Sequence, residues 1–192
     1  MSKLPILQPG PERAPSPIGL PLVPTLRAGR KIYIDTYGCQ MNEHDSTRML
    51  GLMAEQGYAQ TQDPDEADLL IINSCSVREK AEHKLRSAAG KLKTVKRKNP
   101  DAVIALAGCV AQQEGQALLD KVSHADLVFG PDHLVRLPEL VDRVQRERVR
   151  LNETVFVERE DYVFPRLQDS ATAQVSTYVS IMKGCDKYCS FC

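Results

Sequence analysis

Four short apolar runs, each followed by a stretch of helix formers, confine this chain to an α/β architecture. The runs are Lys31 to Thr36 (KIYIDT), Leu69 to Asn73 (LLIIN), Val103 to Ala107 (VIALA) and Leu127 to Phe129 (LVF). They are too short for helices and mostly apolar at consecutive positions, the pattern of strands covered on both faces. Between and after them lie Glu43 to Gln56, Arg78 to Lys98, Gln112 to Val122 and His133 to Arg148, with Asn42 and Ser76 available as helix caps. Strand, helix, strand in that order favours a parallel sheet with right-handed crossovers and helices on its faces. The expected fold class is therefore α/β, a Rossmann-like or flavodoxin-like parallel-sheet domain over residues 30–150.

The flanks read differently. Residues 1–29 carry Pro5, Pro9, Pro11, Pro15, Pro17, Pro21 and Pro24 among small and polar residues, with no apolar period, and are expected to be a disordered tail. After Arg150 the regularity fades, and residues 151–176 read as a connecting segment. Thr177 to Met182 (TYVSIM) is a further strand candidate that leads through Lys183 and Gly184 into a cysteine group, so residues 177–192 look like the opening of a second domain cut short. The 192 residues, 42% apolar, suffice for one full core and part of another unit. With 25 basic and 25 acidic side chains there is no global positive field, so any RNA affinity must come from local patches. No run of about 18 apolar residues exists and the start lacks the apolar core of a secretory signal, so the expectation is a cytosolic protein without a membrane partner. In a reducing compartment, six scattered cysteines serve more naturally as thiolate ligands than as a disulfide framework.

Cys185, Cys189 and Cys192 fall within eight residues, with three and then two residues between them. Thiolates so close can wrap a single cluster, and three ligands for the four irons of a 4Fe-4S cube leave one iron open to an exogenous chelate. The CxxxCxxC spacing is the signature of enzymes that bind the amino and carboxylate groups of S-adenosylmethionine there. A structural zinc site would need a fourth ligand, and none lies nearby. Cys39, Cys75 and Cys109 stand 36 and 34 residues apart, yet each follows an expected strand by two or three residues. In an open parallel sheet the carboxyl ends of the strands form the ligand-binding crevice, so the three thiols can meet at one edge. Spacing alone leaves the alternative that they pack as small buried apolar side chains.

The segments Thr36-Tyr37-Gly38-Cys39-Gln40-Met41-Asn42, Asn73-Ser74-Cys75-Ser76-Val77-Arg78, Ala107-Gly108-Cys109 and Val179 to Cys192 together resemble the radical S-adenosylmethionine methylthiotransferase family. The TYGCQMN form is similar to the branch that acts on isopentenylated adenosine in tRNA. The resemblance covers Lys31 to Cys192. It implies two 4Fe-4S clusters, one on Cys39, Cys75 and Cys109 and one on Cys185, Cys189 and Cys192 in the first strand and loop of a truncated radical barrel. It also implies that Phe191 packs near the adenine of S-adenosylmethionine, although ordinary barrel packing explains that residue as well. The implied reaction begins with a deoxyadenosyl radical taking hydrogen from the adenine carbon between the two ring nitrogens. Sulfur held at the first cluster is then inserted, and a second S-adenosylmethionine supplies the methyl group. The implied partners are a tRNA anticodon stem-loop bearing isopentenyladenosine, a reductant protein and a sulfur source, with the enzyme a monomer. The family's completed barrel and RNA-binding C-terminal domain do not follow, so this stretch alone is expected to be inactive. The alternatives are a sister enzyme acting on threonylcarbamoyl-adenosine or a ribosomal protein aspartate, and a non-catalytic iron-sulfur module.

Weaker signals remain. Lys91, Lys93, Lys96, Arg97 and Lys98 cluster at one helix end, where they can touch RNA phosphates or simply form a solvated face favoured by the helix dipole. His44, His83, His124 and His133 show no ligand spacing with the cysteines. Asn42, Ser74, Ser76 and Arg78 flank the first thiol triplet as candidate donors to cluster sulfur, or as helix caps.

Overall fold

The computed structural model describes residues 29–76 and 79–156. The proline-rich tail, the Thr177 to Met182 strand, the second cysteine triplet and Phe191 lie outside the described residues. Six parallel strands form one sheet in the order β2-β1-β3-β4-β5-β6. The strands are β1 (Arg30–Tyr37), β2 (Tyr58–Gln60), β3 (Leu69–Ser74), β4 (Val103–Gly108), β5 (Leu127–Phe129) and β6 (Leu151–Glu153). The helices are α1 (Gln40–Glu55), α2 (Glu79–Lys98), α3 (Cys109–Glu114), α4 (Gln116–Lys121) and α5 (Leu137–Glu147). The α/β class and the parallel sheet are as the alternation of runs predicts.

The central strands β3 and β4 are buried at every position, which explains their unbroken apolar runs. Successive side chains point to opposite faces. Leu70, Ile72, Ile104 and Leu106 therefore meet Leu85, Leu92 and Leu118 of α2 and α4 in one layer. Leu69, Ile71, Val103 and Ala105 meet Met49 and Met53 of α1 and Leu137, Leu140 and Val141 of α5 in the other. Each fully buried aliphatic side chain contributes about 1.5–3 kcal/mol.

Three details differ from expectation. The sheet has two further strands, β2 and β6, each three residues long and each held by three registered pairs to a neighbour. Edge strands so short carry too few residues to show a period. The helix expected over Gln112 to Val122 is two helices, because Gly115 takes a φ of +50° and breaks the ladder between α3 and α4. Finally, α1 begins at Gln40 with Cys39 as its N-cap, rather than being capped by Asn42.

Two aspartates tie the amino ends of the strands. Asp68 Oδ2 accepts the Lys31 N–H at 2.8 Å, and Asp126 Oδ2 accepts the Ile104 N–H at 2.8 Å, each from the strand beside its own. Arg150, at the foot of β6, donates to the carbonyls of Ala125 (2.8 Å), Val122 (3.0 Å) and Leu119. These include carbonyls that the end of α4 leaves without a helical partner. Arg150→Lys keeps the charge but not the fork that reaches several carbonyls. It is expected to cost about 1–2 kcal/mol in a urea titration. A midpoint unchanged from the parent would show that solvent serves those carbonyls equally well.

Candidate metal centre

Three adjacent strands end level with one another. Tyr37 on β1 is in register with Ser74 on β3, and Ser74 with Gly108 on β4. Cys75 and Cys109 each follow their strand directly, and Cys39 follows β1 after one intervening glycine. The Cys75 N–H extends the ladder one step by donating to the Tyr37 carbonyl at 2.9 Å. Neighbouring strands lie about 4.8 Å apart, so the chain segments carrying Cys75 and Cys109 leave the sheet about one strand spacing from each other. All three cysteines are free thiols, Cys75 buried and the other two half-buried.

Two glycines allow this convergence. A Cβ on Gly38 would lie 2.4 Å from the Cys75 Cβ and 2.6 Å from Asn42 Oδ1. A Cβ on Gly108 would lie 2.5 Å from both Asn73 Oδ1 and the Ser74 carbonyl oxygen. Each glycine immediately precedes a cysteine, and each lets its loop pass close against the end of β3. The φ values of +150° and +92° are ones that side-chain-bearing residues rarely adopt.

Beneath the thiols runs a buried polar network that the apolar run LLIIN reveals only through its last residue. Asn73 Nδ2 donates to the Asn42 carbonyl (2.8 Å) and to Ser46 Oγ (3.0 Å), while Asn73 Oδ1 accepts from Asn42 Nδ2 (3.1 Å). Ser46 Oγ in turn lies 2.8 Å from Thr36 Oγ1. Asn42 Oδ1 accepts both the Cys39 N–H and the Cys39 thiol at 3.3 Å. The network ties the first cysteine loop to the strand that carries the second. Of the four flanking donors read from the sequence, Asn42 reaches a thiol directly. Ser76 does so through its backbone N–H to Cys109, Ser74 turns instead to the Ala81 carbonyl (3.1 Å), and Arg78 lies outside the described residues. Asn73, Ser46 and Thr36 were not legible beforehand, because only strand register brings them to this site. Of the histidines, His124 and His133 donate Nε2 to the carbonyls of Ala89 (2.6 Å) and Val155 (2.7 Å).

The electrostatics link the three cysteines to one another. Burial pushes the Cys109 thiol above its ordinary value, and charge on Cys75, Cys39 and Asp45 would push it the same way, against the opposing N–H of Ser76. Ionising Cys109 beside two other thiolates would need a cation, since close like charges disfavour ionisation. Among the described residues no three His, Cys, Asp or Glu side chains are placed to hold a metal ion. Here two thiols take protein partners, the Cys39 S–H donating a hydrogen bond to Asn42 Oδ1 and Cys109 accepting one from the Ser76 N–H. The donor set nevertheless suits an iron-sulfur group, with three soft ligands from three strand ends and a polar layer beneath them.

Residues 31–130 match the family described as "Uncharacterized protein family UPF0004". The chain belongs to this family. The matched span contains all three thiols of the sheet edge, so in this UPF0004 chain they belong to the part shared with the family. Similar proteins carry a more specific name. The tRNA-2-methylthio-N(6)-dimethylallyladenosine synthase of Myxococcus xanthus (strain DK1622) is 51% identical over 164 residues, 85% of this chain and 35% of that protein. The synthase of the same name from Anaeromyxobacter sp. (strain K) is 49% identical over 180 residues, 93% of this chain and 36% of that protein. That of Hahella chejuensis (strain KCTC 2396) is 48% identical over 164 residues, 85% of this chain and 36% of that protein. The chain thus spans about a third of the length of these curated relatives. Their names bear out the resemblance read from the TYGCQMN, NSCS and AGC segments.

Proposed function

We propose that the intact protein is a radical S-adenosylmethionine tRNA methylthiotransferase, which inserts sulfur and methylates it at the adenine carbon between the two ring nitrogens of isopentenylated adenosine next to the anticodon. The observation that carries this reading is the delivery of Cys39, Cys75 and Cys109 to the ends of three adjacent strands, within a chain about half identical to relatives named for that product. In this reading residues 30–150 together with β6 form the sulfur-supplying domain, the rest of 151–176 connects, and 177–192 open the barrel. Cys39, Cys75 and Cys109 hold one 4Fe-4S cluster. Cys185, Cys189 and Cys192 hold the other, with Phe191 against S-adenosylmethionine. A cluster on the first triplet supplies an iron with a free coordination position for a sulfur ligand. The chain's own contribution is positional: Gly38 and Gly108 bring the thiols to one edge, and Asn42 and Asn73 hold the Cys39 loop to β3. The helix α1 begins directly after Cys39, so its first backbone N–H groups lie at the same edge. The partners are a tRNA anticodon stem-loop bearing isopentenyladenosine, a reductant protein and a sulfur source. The working unit is a monomer in the cytoplasm.

Anaerobic reconstitution with iron and sulfide counts tests the first site. The variant with Cys39, Cys75 and Cys109 all changed to Ala is expected to lose about four iron atoms per chain relative to the parent. Equal iron in the two proteins would remove the site and the sulfur-supply role with it.

A further inference from the structure

The face of β1 opposite α1 carries Lys31, Tyr33, Asp35 and Tyr37 at alternate positions. Register places Tyr33, Asp35 and Tyr37 beside Leu70, Ile72 and Ser74 of β3. On the other side β2 pairs only with Arg30, Lys31 and Ile32. Beyond Ile32, therefore, β1 has no outer strand among the described residues. Tyr33 and Tyr37 pack one edge against the core and remain half-exposed. The Tyr37 hydroxyl donates to Asp35 Oδ2 at 2.5 Å, and Lys84 Nζ of α2 stands 5.6 Å from the centre of the Tyr37 ring.

Along α2, Lys80, Lys84 and Lys91 share one stripe at helical spacing and all are exposed. Among the described residues none of the three has an ion-pair partner, whereas Lys96 is tied to Asp126 (2.7 Å) and Lys98 to Asp65 (2.5 Å). The basic run noted in the sequence thus divides into lysines that hold the fold and lysines that do not. From Lys84 to Lys91 the helix rises about 10 Å. From Tyr37 back to Tyr33 the strand covers about 13 Å. Because α2 runs back against the strand direction, Lys91 comes roughly level with Tyr33. An aromatic floor beside a free basic wall is complementary to a nucleic-acid strand, whose bases stack on rings while its phosphates meet cations.

We propose that Tyr33 and Tyr37, with Lys84 and Lys91, bind a single-stranded RNA segment, Asp35 accepting hydrogen bonds from exocyclic amino groups of its bases. The net charge of this chain is zero, so a local patch of this kind must supply the attraction. Asp35 in the floor disfavours a bare polyanion and favours a ligand that offers base edges. This inference rests on the tRNA part of the proposed function and extends it to the face of β1 that runs back from the strand end beside the thiols.

The test is fluorescence anisotropy of the chain with a labelled anticodon stem-loop RNA and with a labelled single-stranded RNA of about ten nucleotides, repeated across a salt series. Tyr33→Ala and Tyr37→Ala are each expected to weaken binding about tenfold, equivalent to ~1.4 kcal/mol. Tyr37→Phe, which keeps the ring, should stay near the parent. Lys84→Gln and Lys91→Gln should each lower the slope of log affinity against log salt by about 0.7, the single-strand value for one phosphate contact. Lys93→Gln and Arg97→Gln, on the opposite side of α2, should leave that slope near the parent's. Thermal melts of every variant separate lost binding from lost folding. If the parent binds RNA and the Lys84 and Lys91 variants match those of Lys93 and Arg97, the groove is wrong while the tRNA reading stands. If the parent binds neither RNA, the groove is wrong, while the reading of the intact protein is judged separately by its iron content. A groove that takes an acidic peptide and leaves RNA binding untouched by these substitutions also overturns the proposal.

Discussion

Gly108→Ala is expected to destabilise the sheet domain by about 3 kcal/mol or more, one of the larger effects open to a single methyl group. Two costs add. The φ of +92° strains any residue with a Cβ, by roughly 1–2 kcal/mol. The new carbon would also stand 2.5 Å from Asn73 Oδ1 and from the Ser74 carbonyl oxygen, and 3.0 Å from the Ser74 nitrogen. None of these atoms can yield cheaply. The Ser74 backbone sits where β3 pairs with both β1 and β4, and Asn73 is held by three hydrogen bonds to α1. With a urea slope of about 1–3 kcal/mol per molar, the midpoint should fall by one molar or more. Gly90→Ala is the internal comparison. Gly90 lies within α2, and its added Cβ would meet nothing within 4 Å. That change should stabilise by about 0.5–1 kcal/mol through helix propensity. If Gly108→Ala unfolds within 1 kcal/mol of the parent, the tight passage of the Cys109 loop over β3 is not real.

Asn73→Ala should be nearly as damaging and more informative about the proposed iron-sulfur site. Asn73 is 1% exposed, and its removal takes the partner from buried Asn42 Nδ2 and one hydrogen bond each from the Asn42 carbonyl and Ser46 Oγ. A buried polar group left without its partner costs about 1–3 kcal/mol. Ser46 retains Thr36 Oγ1, which limits the total to about 3 kcal/mol. The same loss frees Asn42, whose Oδ1 holds the Cys39 N–H and thiol. Groups that orient a metal ligand commonly change metal affinity 10- to 100-fold. Iron retention during a chelator titration, measured where the variant is still fully folded, should therefore drop by about tenfold or more. Parent-like retention in the folded variant would restrict the asparagine pair to a structural role.

How much could be read beforehand varies from element to element. The runs LLIIN and VIALA announced buried central strands, because strands covered on both faces must be apolar at every position. Tyr58–Gln60 was invisible, since two of its three residues are exposed and polar pairing, not burial, makes it a strand. Gly115 was one glycine among helix formers, and only its φ marks it as a break. At the candidate site, the cysteines stood out because each follows an expected strand within two or three residues. Asn73 did not stand out, because an asparagine closing a strand is as common in a turn as in a buried network. The basic run on α2 looked uniform until Asp126 and Asp65 were found to claim Lys96 and Lys98.

By itself, the sequence determined the parallel α/β sheet and the common edge at which Cys39, Cys75 and Cys109 emerge. Both follow from local alternation of strand and helix, which sends every strand the same way and every following loop to the same rim. Tertiary structure alone decided which polar side chains support those thiols and which lysines remain free. Such partnerships depend on the register of strands some thirty residues apart and on which face of a helix meets the sheet. No local pattern carries that information, because register is set by the packing of the whole core at once.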